Sequence, residues 1–185
     1  MKELSLNVLD IAQNSISAGA TLITIETVED EEADRLSICI LDNGRGMTPE
    51  QVAHVTDPFF TTRTTRKVGL GVPLFKMAAE MAGGAFSIQS EPGKGTAVRA
   101  TFQLSNVDRM PLGDMEDTIF MLIHMNPQLD FVYQRGKNGR AFTLDTRQLR
   151  QILGDVPFND PEVGAWIKGY LSEQLAALSE EQAVE

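Results

Sequence analysis

Cysteine is almost missing from these 185 residues: Cys39 stands alone. No internal disulfide can form, and a reducing compartment is the simple reading. Its neighbours Leu36, Ile38, Ile40 and Leu41 mark a buried strand thiol rather than a reactive one. Histidine is nearly as scarce, with only His54 and His124. No Cys/His cluster has zinc spacing and no nucleophile elbow occurs, so those chemistries are set aside. Each histidine reads as structural or superficial, His54 in a polar stretch and His124 on an apolar-rich helix. Long apolar runs are also missing, since no window reaches the ~18–20 residues of a membrane span. The start Met1-Lys2-Glu3-Leu4 lacks a basic region followed by an apolar run, so a soluble, cytoplasmic protein is expected. Basic charge is in deficit: 16 Lys and Arg against 26 Asp and Glu give a formal net charge of -10. Both parts of the chain are acidic, with nine basic and thirteen acidic residues up to Ser105, then seven and thirteen. A nucleic-acid footprint and an anionic-membrane surface are therefore not expected. No internal repeat or low-complexity tract is visible.

With 42% hydrophobic and 23% charged residues, the chain can bury a core, and its length suits one full domain plus an appendage. Apolar spacing predicts a helix over 3–18, stopped by Gly19. Alternation predicts strands over 21–28 and 36–41, with the acidic run 29–34 as a solvated hairpin loop. The polar stretch 47–68 lacks periodicity and reads as a functional loop or lid. A second helix over 72–81 stops at Gly83-Gly84, and strands over 85–90 and 97–104 flank a turn. That order predicts antiparallel hairpins in one sheet with helices on one face, a two-layer α/β sandwich over residues 1–105. After a linker at 106–111, residues 106–185 read as a small α+β extension. It holds a helix over 114–125 and strands over 130–135 and 140–145 around Gly136-Lys137-Asn138-Gly139. Asp145 or Thr146 then caps a helix to 153, and Asp160-Pro161 opens a last helix to about 178 before a frayed, Glu-rich end. Ile119, Phe120, Leu122, Ile123, Trp166, Ile167, Tyr170 and Leu171 read as core, with an exposed docking share as the alternative.

Four stretches carry candidate chemistry. Asp10 and Asn14 lie four apart on one face of the first helix, roughly opposite the Val8/Ile11/Ala12 stripe. Asp42-Asn43-Gly44-Arg45-Gly46 ends a strand with a carboxylate and two glycines that let backbone approach a ligand. Val68-Gly69-Leu70-Gly71 runs straight into a helix, where backbone amides and the helix dipole favour a phosphate. Gly93-Lys94-Gly95-Thr96 makes a tight turn. Singly, each has an ordinary alternative: a solvated helix face, a turn, or glycine punctuation.

In this order and spacing the four stretches resemble the gyrase, heat-shock chaperone, histidine kinase and mismatch-repair (GHKL) ATPase superfamily, over about residues 3–104. Asp57-Pro58-Phe59-Phe60-Thr61-Thr62-Arg63 looks like the histidine-kinase branch, and Asn14-Ser15-Ile16-Ser17-Ala18-Gly19-Ala20-Thr21 more like the mismatch-repair relatives. The resemblance implies a Bergerat-type ATP-binding fold with ATP and Mg²⁺ as cofactors. It implies that Asp42 accepts a hydrogen bond from the adenine amino group, that Thr96 assists through its hydroxyl and a water, and that Gly44 and Gly46 shape that pocket. It implies Asn14 as a Mg²⁺ ligand, and Gly69, Leu70 and Gly71 as phosphate-binding amides. Arg63, Arg66 and Lys67 on the lid would neutralise phosphate charge. Lys67 stands where the family usually has a leading glycine, which shifts phosphate gripping from backbone towards that cation. Asp10 stands where hydrolysing relatives carry a glutamate. Being one methylene shorter, it either activates water or only orders Mg²⁺-bound water.

Histidine kinases place a helical module bearing the phosphorylated histidine before this domain, and here the resemblance begins at the first residues. Autophosphorylation of the usual kind is therefore not expected. Two readings follow. In the first, the chain is a kinase-like regulator acting on an unidentified partner protein in trans. In the second, it is a nucleotide-gated binding module with slow ATP hydrolysis, gripping its partner through 106–185. A homodimer is an open alternative.

Overall fold

The computed structural model describes residues 3–59 and 70–180. Helix α1 (Leu4–Ser17) forms because Leu4, Val8, Ile11, Ala12 and Ser15 recur on one buried face. Gly19 stops it at φ 77°. The Gly19 amide donates to the Ile16 carbonyl at 3.0 Å and the Ala20 amide to that of Ser15 at 3.1 Å, a left-handed glycine cap. Strands β1 (Leu22–Asp30) and β2 (Arg35–Asp42) then pair antiparallel, with Ile25 opposite Ile40. The turn between them is held by Asp34 at φ 53°, whose carboxylate accepts from the Ser105 hydroxyl at 2.6 Å and amide at 2.8 Å.

The structure corrects the reading of 47–68 at its start, because Pro49–Val55 is a helix, α2. Thr48 and Gln51 form a reciprocal capping box ahead of it, so the terminal amides are satisfied locally. None of its side chains is buried, which is why apolar periodicity gave no sign of it. Helix α3 (Gly71–Met81) leads into the hairpin β3 (Phe86–Glu91) and β4 (Gly95–Gln103). Beyond it come α4 (Met115–Met125), β5 (Asp130–Lys137), β6 (Arg140–Asp145), α5 (Thr146–Leu153) and α6 (Pro161–Glu180).

All six strands form one sheet in the order β3-β4-β2-β1-β5-β6. The extension therefore continues the first sheet, with β5 lying parallel to β1 from Leu22 opposite Asp130 onward. Ile23, Ile25, Leu36, Ile38, Ile40, Val98, Phe102, Phe131 and Tyr133 are buried beneath the helices, which gives the two-layer α/β sandwich with α1 central. Ile119, Leu122, Ile123, Ile167 and Leu171 are core as expected. Trp166 is not: it is 52% exposed and stacks on Tyr170. The sole cysteine is half-buried, and burial pushes its thiol pKa up. His124 packs against Phe120 in α4. Among the described residues, no helix is long and apolar enough to cross a membrane.

Arg150 ties α5 to the connection between α4 and β5. Its guanidinium donates to the Pro127 and Leu129 carbonyls at 2.8 and 2.7 Å and to Asp130 at 2.7 Å, and it lies over the Phe158 ring. Arg150→Ala is expected to lower stability by about 2 kcal/mol, because three acceptors lose their donor and Phe158 loses its cover. Urea denaturation checks this, and Arg150→Lys should recover little, since one ammonium cannot reproduce the fork.

Candidate functional site

The site sits where α1, the ends of β2 and β4, and the start of α3 meet. Asp42 closes β2, and its Cα partner across the ladder is Thr96 of β4. Two donors hold the Asp42 carboxylate: the Gly44 amide reaches Oδ1 at 2.9 Å and the Ser15 hydroxyl reaches Oδ2 at 2.6 Å. Each oxygen keeps a free lone pair, so the group remains an acceptor for a ligand.

The loop after Asp42 is built by backbone constraint. Asn43 is structural, accepting from the Thr21 and Leu22 amides at 2.8 and 3.0 Å. The Arg45 amide donates to the Ala18 carbonyl at 2.9 Å, and a Cβ on Gly44 would press on Ala18 at 3.0 Å. Gly46 has φ 69°, and a side chain there would overlap the Glu91 carbonyl. The Gly93 amide donates to the Arg45 carbonyl at 2.7 Å. The second and fourth motifs are thus one clamped unit, which explains their glycines.

A cavity of about 250 Å³ opens between this unit and α1. Asn14, Ser15, Asp42, Gly46, Met47 and Thr96 line it together with the apolar Ile11, Ile40, Val72, Ile88 and Val98. An apolar slot ending in a carboxylate suits a flat heteroaromatic base carrying a donor. A wider recess of about 680 Å³ adjoins it, sharing Asp42 and Thr96 and bounded by α2.

Of the expected site residues, the structure brings Asn14, Asp42, Gly46 and Thr96 to one cavity wall, with Gly44 buried behind them. Asn14 sits on the flank of the α1 apolar stripe rather than opposite it, lining the cavity beside Ile11. Asp10 reaches solvent one turn away, and a Cβ on Gly71 would come within 3.0 Å of its own Cβ. The N-terminal end of α3 therefore abuts Asp10. Among the described residues no side chain caps that end, and with Pro73 lacking a donor, the Gly71 and Val72 amides have no partner there and could meet an anion. Although Asp10 reaches solvent, partial desolvation raises its carboxyl above its ordinary value, which makes it a better base once ionised. Arg63, Arg66, Lys67 and Gly69 lie outside the described residues. Among those described, no group of three or more His, Cys, Asp or Glu could hold a metal ion. Mg²⁺ on a nucleotide needs no such group, because phosphates and water supply most ligands. The Asn14 amide, free of hydrogen bonds among the described residues and lining the cavity, fits that role.

Sequence reasoning missed two residues, Ser15 and Ser90. Ser90 accepts from the Met47 amide at 2.8 Å and contacts the Gly95 carbonyl at 2.9 Å and the Thr96 hydroxyl at 2.8 Å. Neither carries a signal in the sequence beyond lying next to a motif.

The family model described as "Histidine kinase-, DNA gyrase B-, and HSP90-like ATPase" matches residues 1–106, and this chain belongs to that family. The "Sensor protein kinase FleS" of Pseudomonas aeruginosa is 34% identical over 110 residues, which cover 60% of this chain and 27% of the relative. A "Putative sensor protein" of Shewanella frigidimarina is 33% identical over 109 residues, covering 58% of this chain and 17% of its own length. This chain thus spans well under a third of either relative. The structure of the "Aquifex aeolicus MutL ATPase domain complexed with ADP" superposes with a TM-score of 0.50 at 19% identity, over 83% of this chain and 69% of that one. At that identity the likeness is one of fold. The likeness to histidine kinases read from the motifs holds at the level of family, and the likeness to the MutL ATPase domain at the level of fold.

Proposed function

We propose that the chain binds Mg-ATP in this cavity and acts as a kinase-like regulator on a partner protein in trans. The observation that supports it most is the Asp42 carboxylate, held at the end of an apolar cavity and aligned by Ser15 and Gly44. In this reading Asp42 and Thr96 receive the base, Gly44 and Gly46 shape its seat, and Asn14 holds Mg²⁺. Leu70 and Gly71 place the phosphates at the start of α3, while Gly69, Arg63 and Lys67 enter this reading on the sequence alone. When bound, ATP supplies the transferable γ-phosphoryl group. In this reading Asp10, beside the start of α3, takes a proton from water or holds water in place.

The second reading, a nucleotide-gated module that binds a partner without phosphotransfer, draws on a separate observation. The Leu4 amide donates to the Pro111 carbonyl at 3.0 Å and the Ser5 amide to that of Leu112 at 2.9 Å. The helix carrying Asp10 and Asn14 is therefore anchored, at its other end, to the segment entering α4. A nucleotide-dependent shift of α1 would reach residues 106–185 by this connection.

Purified protein incubated with Mg-ATP tests the role of Asp10. Phosphate release is expected, and it should fall about a hundredfold in Asp10→Ala, the smaller end of general-base contributions. Release should rise with pH through the raised Asp10 value, because only the carboxylate can accept a proton. Unchanged release in Asp10→Ala would remove it as a base. Transfer of γ-labelled phosphate to a second protein excludes the gated-module reading, whereas ATP-dependent complex formation without transfer excludes the kinase-like one.

A further inference from the structure

We infer that Ser15 and Ser90 fix the hydrogen-bonding polarity of the cavity's closed end, so that it offers acceptors only and selects a 6-aminopurine over a 6-oxopurine. This rests on the nucleotide-binding reading above and names what sets its base preference. Ser90, Thr96 and Asp42 stand in one row across β3, β4 and β2, as direct Cα partners, and Ser15 reaches the row from α1.

The direction of each hydroxyl follows from its neighbours. A hydroxyl has one hydrogen and two lone pairs. Against Ser90, the Gly95 carbonyl can only accept, at 2.9 Å, and the Met47 amide can only donate, at 2.8 Å. The single Ser90 hydrogen therefore goes to Gly95. Its remaining lone pair faces the Thr96 hydroxyl at 2.8 Å, so in that contact Thr96 donates. With its hydrogen committed to Ser90, Thr96 has only lone pairs left for the cavity. Ser15 is likewise committed. It is 3% exposed, and its hydrogen goes to the Asp42 carboxylate at 2.6 Å in preference to the Ile11 carbonyl at 3.4 Å, because the charged acceptor is nearer and stronger.

Asp42 and Thr96 thus face a ligand as two adjacent acceptors. The exocyclic amino group of a 6-aminopurine carries two hydrogens and matches both. A 6-oxo group sets a third acceptor against them, and the single N1 proton beside it can meet only one of the two, so buried lone pairs stay opposed. Ser15 and Ser90 are positioning residues in this scheme, setting discrimination through Asp42 and Thr96.

The test is the ratio of ATP to ITP affinity measured by calorimetry, since the two nucleotides differ at the base 6-position and the N1 proton. Wild type should prefer ATP by roughly tenfold to a hundredfold, the factor that one mismatched buried hydrogen-bonding group brings. Ser90→Ala frees the Thr96 hydroxyl to turn and donate, so the ratio should fall to within about threefold. Ser90→Thr keeps the hydroxyl and should restore it. A purely structural role for Ser90 would weaken both nucleotides by one factor and leave the ratio unmoved, and that result overturns the inference. Should Ser90→Ala not fold, Ser15→Ala carries the same comparison, because an Asp42 held by Gly44 alone frees Oδ2 to admit a donating water. Wild type that binds ATP and ITP equally also overturns it. Wild type that binds neither overturns the nucleotide reading together with this one.

Discussion

Asp42→Asn is expected to weaken ATP binding by roughly a hundredfold while leaving the fold close to intact. The two effects separate because the amide can be accommodated by the protein but not by the ligand. The Gly44 amide keeps an acceptor if the asparagine oxygen stays at the Oδ1 position. Ser15 then meets an N–H instead of an oxygen. It can accept that hydrogen and turn its own towards the Ile11 carbonyl, already 3.4 Å away. No buried group is stranded, so the thermal midpoint should move little. The ligand fares differently, since a donor now faces the exocyclic amino group and the charge that strengthened the contact is gone. A charge-assisted hydrogen bond contributes about 1.5–3 kcal/mol, which at its upper end is about a hundredfold in affinity. Calorimetric titration with ATP decides it. Equal affinity of wild type and variant would falsify the assignment of Asp42 to the base.

The parts of this protein legible in its sequence are those where one residue type meets a strict local demand. Gly19, Gly46, Gly93 and Gly95 all have positive φ, and three of them lie in or beside the motifs that led to the ATPase family. The strands around Asp42 alternate cleanly, so their buried faces could be read directly. Helix α2 was signed only by its capping box, Thr48 with Gln51, since a seven-residue helix without buried side chains leaves no apolar stripe. The parallel pairing of β5 with β1 joins residues more than a hundred positions apart, and nothing local encodes it. The same holds for Ser15, which reaches Asp42 across 27 positions. Serine is unremarkable in a helix, and only the approach of α1 to the end of β2 gives this one a role. Ser90 is similar: its three partners come from the loop after β2 and the start of β4, brought together by the clamp between Arg45 and Gly93.

That clamp also determines where the chain tolerates least change. Gly95→Ala is expected to lower stability by about 3 kcal/mol or more, the upper range for overpacking joined to backbone strain, and to remove nucleotide binding with it. Gly95 sits at φ 111°, a backbone conformation that side chains rarely adopt, and a Cβ there would overlap the Asp42 carbonyl. Its next neighbours would be the Asp42 carbonyl carbon at 2.8 Å and the Asn43 Cα at 3.0 Å. These are main-chain atoms of the adjacent strand, so no rotamer change can make room. Relief must come from prising β2 from β4 beside the Asp42–Thr96 pair, which also draws the carboxylate away from Ser15 and Gly44. Gly93→Ala supplies the control, because Gly93 has φ 79° yet its Cβ would meet nothing within 4 Å. It should lose only the backbone preference, about 1 kcal/mol. In a protein of this size each kcal/mol shifts the thermal midpoint by about 2–4 °C. The Gly95 variant should therefore melt about 6–12 °C below wild type and the Gly93 variant about 2–4 °C below. If the two variants melt together, steric closeness to Asp42 is not what demands the glycine, and the coupling between this turn and the Asp42 carboxylate fails with it.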